Sequence, residues 1–363
     1  MTTPFRVAFV GVDHPHGSGW RDLLPALDVV ELTALVPGFG GALTSLEERY
    51  AHLPRFESVD DLIARGGFDG AIVCLPNRET PEAVVRLARA GKHVLVEKPG
   101  AATEADFAPA AEAVRRAGVA FQNGYLWRYD PGAERLRGMV RDGRFGKLVS
   151  VEAGLFTSDA GRRGPAHYLF DPEQSGGGFF NWLMCHWLDL LLFLFERPVV
   201  GVTARVGVSG AIPIEVDDGG TAILELEGGP LATLTGGYWL PRWLTELRWT
   251  VRGSARWVHW DPLAPGTGGV LTLRGPQPQF QATDETFTLP EDRTPGYCGA
   301  RGVQLVRDWV ESARTGRNVC RNSIDSTLAA LRLLDLVYRS SDEGRIVECD
   351  VRPAKLPVWI SPT

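Results

Sequence analysis

Cysteine is scarce in this chain: five occur among 363 residues, at positions 74, 185, 298, 320 and 349. No two have C-x-x-C spacing and the number is odd. That argues against a disulfide framework and a structural zinc site, and for a reduced, cytoplasmic setting. Positive charge is also short, with 38 Lys and Arg against 44 Asp and Glu and a net charge of −6. Non-specific nucleic-acid binding needs a basic face, so no nucleic-acid partner is expected. Long hydrophobic runs are missing. The longest after the N-terminal run is "LLLFLF" at 190–195, far below the ~20 residues that span a bilayer, so no membrane partner is expected. Only Arg6 precedes the first apolar run, which stops at Gly11, so no secretory signal is expected either. No internal repeat or long low-complexity segment occurs. What is present is 44% hydrophobic residues, enough for a large core divided between two domains.

The first 125 residues alternate between two patterns. Short apolar runs at 5–12, 30–36, 70–76, 92–99 and 119–125 read as strands buried on both faces. Between them, 19–27, 43–53, 81–91 and 104–118 have helical spacing, the last despite Pro109. Pro81 opens the third helix and Gly91 follows its end, the usual asymmetry. Strand–helix alternation with short connections predicts a mostly parallel, Rossmann-type sheet covered by helices. Ligands of such sheets bind beyond the carboxyl ends of the strands. Gly11–His16, Val36–Phe39, Pro76–Thr80 and Glu97–Pro99 should therefore share one crevice.

That crevice lacks much of the dinucleotide fingerprint. Of G-x-G-x-x-G only Gly11 remains, with Asp13 and His16 at the other two glycine positions. The acid expected about 20 residues on, which would hold the adenosine ribose, is also missing. Asp13 would repel a pyrophosphate, and His14 or His16 could offset it when protonated. The "GFGG" at 38–41 either exposes backbone N–H groups to a 2′-phosphate or is an ordinary turn. Asp13, His14 and His16 make poor closed metal geometry with Pro15 among them, so no metal is expected.

Two other motifs say more. They are "AGKHVLVEKP", Ala90–Pro99, and "GGGFFNWLMCHWLDLLLFL", Gly176–Leu194. With "CLPNRETPEAV" and the strand–helix order, the chain resembles the glucose–fructose oxidoreductase/inositol dehydrogenase (Gfo/Idh/MocA) family from about residue 5 to 340. The resemblance implies a Rossmann domain, 1–126, and then a substrate and oligomerisation domain, 127–363, with an open, mostly antiparallel sheet. NAD or NADP is the implied cofactor and a carbohydrate or polyol the implied substrate. A homodimer or homotetramer pairing through the second sheet is the implied assembly. Lys98 would lie beside nicotinamide and substrate, with Pro99 in cis. Gly11, Val12, Asp13, His14, His16, Val36, Leu75, Pro76, Asn77, Glu97 and Arg128 would lie on the cofactor side. His186, eight residues after the last glycine, takes the place of the family's acid/base histidine. By residue type alone, a lysine ending a strand is a surface group and a lone histidine in an apolar helix a core group. The resemblance moves both to function.

One departure stands out. The family carries Asp four residues before this histidine, and here that position is Trp182, with Asn181 beside it. Tryptophan exchanges no proton at neutral pH, which leaves Lys98 and His186. Trp182 either stacks on a sugar ring or packs in the core, and core packing is the default. Trp127, His167, Tyr168, Asn181 and Trp182 are the substrate-side candidates.

Beyond residue 199, alternating segments read as antiparallel strands. Trp239, Trp243, Trp249, Trp257 and Trp260 are expected to cluster on a sheet face that joins subunits. Helices at 302–316 and 326–341 are expected to pack back on this second domain. Three functions fit the residues: NAD(P)-linked hydride transfer at a hydroxyl carbon; a redox-neutral reaction with retained cofactor; and a non-catalytic binding protein on the same fold. Trp182 and the damaged fingerprint motivate the last two, and retention of Lys98 and His186 favours the first.

Overall fold

The computed structural model describes residues 3–11, 17–37, 44–164, 167–210, 212–296 and 298–355. They form two compact units. Of the described residues, those up to Tyr129 and those of Arg293–Leu328 belong to the first, and those of Asp130–Asp292 and Ala329–Pro353 to the second.

The first unit begins with strand β1 (Phe5–Gly11), helix α1 (Gly17–Leu23), β2 (Val30–Pro37), α2 (Thr44–Arg49) and α3 (Val59–Arg65). It continues with β3 (Gly70–Cys74), α4 (Thr80–Arg89), β4 (His93–Val96), α5 (Glu104–Ala117) and β5 (Phe121–Asn123). The strands make one parallel sheet in the order β2-β1-β3-β4-β5. Its helices carry local start and stop signals. The Ser58 and Thr103 side chains accept the backbone N–H of Asp61 and Asp106, and left-handed Gly118 ends α5.

The second unit holds α6 (Pro131–Arg141), β6 (Leu148–Thr157), α7 (Pro172–Ser175), α8 (Cys185–Phe195) and strands β7 (Val199–Gly207), β8 (Gly219–Leu226) and β9 (Leu231–Gly237). Then come β10 (Thr245–Gly253), β11 (Trp257–Asp261), β12 (Val270–Arg274) and β13 (Glu285–Thr288). With β14 (Val347–Val351) these strands form a nine-stranded sheet ordered β13-β12-β11-β10-β6-β9-β8-β7-β14. Only the β6–β9 pairing is parallel. The architecture is thus the expected parallel Rossmann-type sheet followed by an open, mostly antiparallel one.

The chain does not divide at a single break after residue 126. Helix α9 (Gly299–Thr315) belongs to the first unit, and α10 (Ile324–Glu343) supplies its first residues to that unit and the rest to the second. The reason is the apolar face of the parallel sheet. Phe5, Val7, Phe9, Ile72, Cys74 and Leu95 form a core with Trp20 and Leu23 of α1 and with Leu305, Val306, Trp309 and Val310 of α9. Phe5 and Trp309 meet edge to face at 5.3 Å. The expectation that the 302–316 helix packs on the second domain is corrected accordingly.

The tryptophan cluster is also corrected. Period-two alternation sends Trp249 and Trp260, paired across β10 and β11, to the buried face, where Trp187 of α8 packs at 5.5 Å from Trp249. Trp239 lies over Gly219 and Gly237, and its indole binds Asp218. Trp243, at 74% exposure, and Trp257 face outward. The segment Pro172–Phe195 is long and apolar enough to cross a membrane, with mean hydropathy 1.4, but 94% of that window is buried inside the protein. It comprises α7, the glycine turn, a π-helical turn and the buried core helix α8.

Asp308 of α9 is buried, which pushes its pKa from 3.8 to about 6; Gln304 and Tyr129 only partly offset this. The folded carboxyl therefore holds its proton more tightly than the unfolded one. Stability falls as pH rises from about 4 to about 6, and the cost is fully present above that window. Asp308→Asn is expected to raise Tm at pH 8 by about 2–4 °C and to leave it unchanged near pH 4. Thermal scans at both pH values check this, and a lower Tm at pH 8 would refute the sign.

Candidate functional site

In the first unit the site is the carboxyl edge of the parallel sheet. Gly11 pairs with Pro37 on one side and Cys74 on the other, and Val96 pairs with Asn123. Val36 is the last residue but one of β2, Leu75, Pro76 and Asn77 follow β3, and Glu97 and Lys98 follow β4, so one edge gathers them all. Val12, Asp13, His14 and His16, and the glycines at 38–41, lie outside the described residues. Gly11 has φ +155°, and a Cβ there would stand 2.3 Å from the Cys74 carbonyl oxygen. That is the role of the first glycine of a dinucleotide turn: it lets β1 turn sharply beside its neighbour.

Lys98 is 1% exposed and ranks among the largest fully buried side chains. The Lys98–Pro99 bond is cis, as the resemblance implied. Glu97 is buried too, and its Oε1 accepts the Trp20 indole N–H at 2.9 Å, joining β4 to α1. A side chain on Gly124 would approach Glu97 Oε2 to 3.1 Å, so the glycine makes room for the carboxylate. Asn123 Nδ2 donates to the Pro99 carbonyl at 3.1 Å. Asn322 in turn donates to the carbonyls of Asn123 (2.8 Å) and Tyr125 (3.1 Å). The Thr80 hydroxyl bonds the carbonyls of Leu75 and Pro76, which fixes the turn that bears Asn77. Trp20, Asn123 and Asn322 carry no motif signal, and sequence reasoning missed them.

Arg128 is buried, and its Nη1 donates to the Arg321 carbonyl at 2.8 Å while Arg321 Nη1 returns a bond to the Arg128 carbonyl at 2.7 Å. This exchange ties the segment after β5 to the 321 loop. Trp127 is half-buried, with the Arg301 guanidinium 4.5 Å over its ring. The edge fits a dinucleotide by its donor set: a glycine where backbone must come close, a cation at a strand end, and a neighbouring carboxylate held by an indole.

In the second unit, His186 lies in the first turn of α8 and is 8% exposed. A single π-helical turn, Phe180–Met184, precedes it, and Cys185 N donates to the Phe180 carbonyl. Such turns are rare, and they occur frequently at functional sites. Asn181, Trp182 and Asp189 are buried, so Trp182 is part of the core. The triple glycine is a packing requirement. Gly176 ends α7 in the left-handed region, and a Cβ on Gly177 would meet the Tyr338 hydroxyl at 2.5 Å. One on Gly178 would stand 2.0 Å from the Asp217 carbonyl oxygen. His167 and Tyr168 stack on each other at 4.7 Å. Burial and the Arg163 charge hold His167 at a pKa of about 4, so it is neutral at pH 7. Its Nδ1 accepts the Leu169 N–H, which places its proton on Nε2 as a hydrogen-bond donor. Asp217 and Tyr338 are the residues of this unit that the sequence did not reveal.

Two family models match: "Oxidoreductase family, NAD-binding Rossmann fold" over residues 5–125 and "GFO/IDH/MocA C-terminal domain" over 133–259. Inositol 2-dehydrogenase of Rhizobium meliloti (strain 1021) is 28% identical over 327 residues, which cover 86% of this chain and 90% of that protein. The 2,7-anhydro-N-acetylneuraminate hydratase of Escherichia coli (strain K12) is 31% identical over 247 residues, 66% of this chain and 63% of that protein. The crystal structure of aldose-aldose oxidoreductase from Caulobacter crescentus superposes with TM-score 0.76 and 26% identity, covering 96% of this chain and 100% of that one.

Gly178→Ala is expected to cost about 1–3 kcal/mol, since backbone rather than a flexible side chain must yield. Urea unfolding measures this, and a neutral result would mean that the triple glycine answers to something other than packing against Asp217. The strand-end edge, the buried lysine and the two family matches agree: this chain belongs to the Gfo/Idh/MocA family and is an NAD(P)-dependent oxidoreductase.

Proposed function

We propose that the protein transfers hydride at a hydroxyl-bearing carbon of a sugar or cyclic polyol, with Lys98 and His186 as its catalytic residues. The observation that carries this is the burial of Lys98. Lysine is almost never fully buried without a specific reason, because removing its charge from water is costly. At the carboxyl edge of a parallel sheet, function is such a reason. The bound NAD(P) supplies the hydride acceptor or donor. The Lys98 ammonium donates a hydrogen bond to the reacting hydroxyl and stabilises alkoxide charge as it develops. His186 accepts or returns the hydroxyl proton. Gly11, Val36, Leu75, Pro76, Asn77 and Glu97 shape the cofactor side. The neutral Nε2–H of His167, with Tyr168 and Asn181, offers hydrogen bonds to a polyhydroxylated substrate. A cytoplasmic setting belongs to this proposal and rests on the sparse, odd-numbered cysteines of the sequence.

A second reading has its own support. Trp182 supplies no acid beside His186, and one relative is named a hydratase. Addition or elimination of water involves no net redox change, and retained cofactor would serve it through transient oxidation.

The test is a panel of inositols, hexoses and pentoses with NAD+ and with NADP+, following both cofactor absorbance and product. Net reduced cofactor supports the first reading, and product without it supports the second. Lys98→Ala and His186→Ala should each lower kcat by at least about 100-fold, the size of a lost acid/base or oxyanion contact. Full activity in both variants would remove the proposed roles.

We also infer self-association through the outward face of the nine-stranded sheet, which presents Thr221, Ile223, Thr233 and Thr235. Sedimentation at micromolar concentration should give a multiple of 39.6 kDa. A monomer there would count against it, and Ile223→Lys should shift any dimer toward monomer.

A further inference from the structure

We propose that Asp217 and Tyr338 are the positioning residues for His186: they satisfy the donors at the start of its helix and so fix where the imidazole lies. This rests on the acid/base role proposed above for His186.

A helix start leaves its first N–H groups without intrahelical partners, and a Ser, Thr, Asp or Asn just before the helix usually serves them. Here that place is taken by glycines, and neither Phe179 nor Met184 makes a side-chain cap bond. The partners come from far along the chain. Gly178 N–H donates to Asp217 Oδ1 at 2.6 Å and Phe180 N–H to Asp217 Oδ2 at 2.8 Å. Phe179 N–H donates to the Asp217 carbonyl at 2.8 Å, and Asn181 N–H to the Tyr338 hydroxyl at 3.1 Å. The Tyr338 O–H closes the circuit by donating to Asp217 Oδ1 at 2.8 Å. The next amide, Trp182, bonds back to Gly178, and the helix has begun.

Four consecutive amides are thus served by two residues. The carboxylate also faces the positive end of the helix dipole. Burial works against that charge and raises its pKa, so the bonds around it matter. Asp217 is itself held in place. Asp218 beside it accepts from Ser209 N–H and hydroxyl, Gly210 N–H and the Trp239 indole. The π turn lies between this cap and His186, so any change of register there rotates the imidazole about the helix axis. Catalytic groups tolerate only about 0.5 Å of displacement.

The test uses the full chain and Tyr338→Phe, which keeps the ring and removes the hydroxyl. The chain has seven histidines, so the His186 Cε1–H proton resonance can be assigned by its loss in His186→Asn. We expect that resonance to shift in Tyr338→Phe and to titrate at a different pH. We expect kcat to fall about 10-fold or more with KM changed less than about threefold, for the sugar or polyol selected by the panel. NADH affinity should stay unchanged. An identical His186 titration in wild type and Tyr338→Phe overturns the proposal. If Tyr338→Phe does not fold, amide exchange in the wild type decides: a fast-exchanging Asn181 N–H overturns it, and protection at the level of the helix core supports it. Full activity in His186→Asn would sink the acid/base role alone, and the resonance and exchange data would still judge the positioning.

Discussion

A parallel sheet joined by crossover helices has two apolar faces, and neither can be left to water. That constraint organises the first unit. The chain runs through five strands, leaves to build a second unit, and then supplies α9 to the same face that α1 covers. Leu305, Val306 and Trp309 are the payload of that return. The polar residues brought with it serve the site. Asn322 reaches the carbonyls of Asn123 and Tyr125, and Arg321 exchanges bonds with Arg128. Covering the sheet and bracing its carboxyl edge are two results of one chain reversal.

The second unit follows a different rule. Its sheet buries one face and presents the other, so its strands alternate where those of the first unit run continuously apolar. Helix α8 is buried over its whole length, including His186 and Asp189. Trp187 donates its indole N–H to the Gly154 carbonyl at 3.1 Å, which pins the helix against β6. A histidine in so rigid an element has little freedom of its own. Its position is set by the helix that carries it.

The alternating fold of the first unit was legible because continuous apolar runs and helical spacing are local signals. Gly11, the Lys98–Pro99 segment and the glycines before His186 were legible as motifs. The tryptophans misled because their number along the chain says nothing about which face each takes. One residue of register decides that: along β11, Trp257 and Trp260 differ in parity, and only Trp260 joins Trp249 on the buried face. The helix at 302–316 was legible as a helix, but amphipathic spacing does not name the surface it covers. Trp20, Asn123, Asp217, Asn322 and Tyr338 were invisible because each acts on a partner far away in sequence. A buried acid reads no differently from a surface one until its donors are known.

The same logic explains why each informative motif has glycine or proline at its turn. Glycine and proline segments cannot hold themselves: they lack the groups that would make the bonds. They mark places where something else must come close, and the structure shows what does. Indole and amides from α1, β5 and the 321 loop brace Glu97–Pro99. A carboxylate and a phenol brace Gly178–Asn181. Rigidity at each motif is imported from residues far along the chain. The indole of Trp182 is buried and exchanges no proton at neutral pH, so in the proposed mechanism proton handling falls to Lys98 and His186.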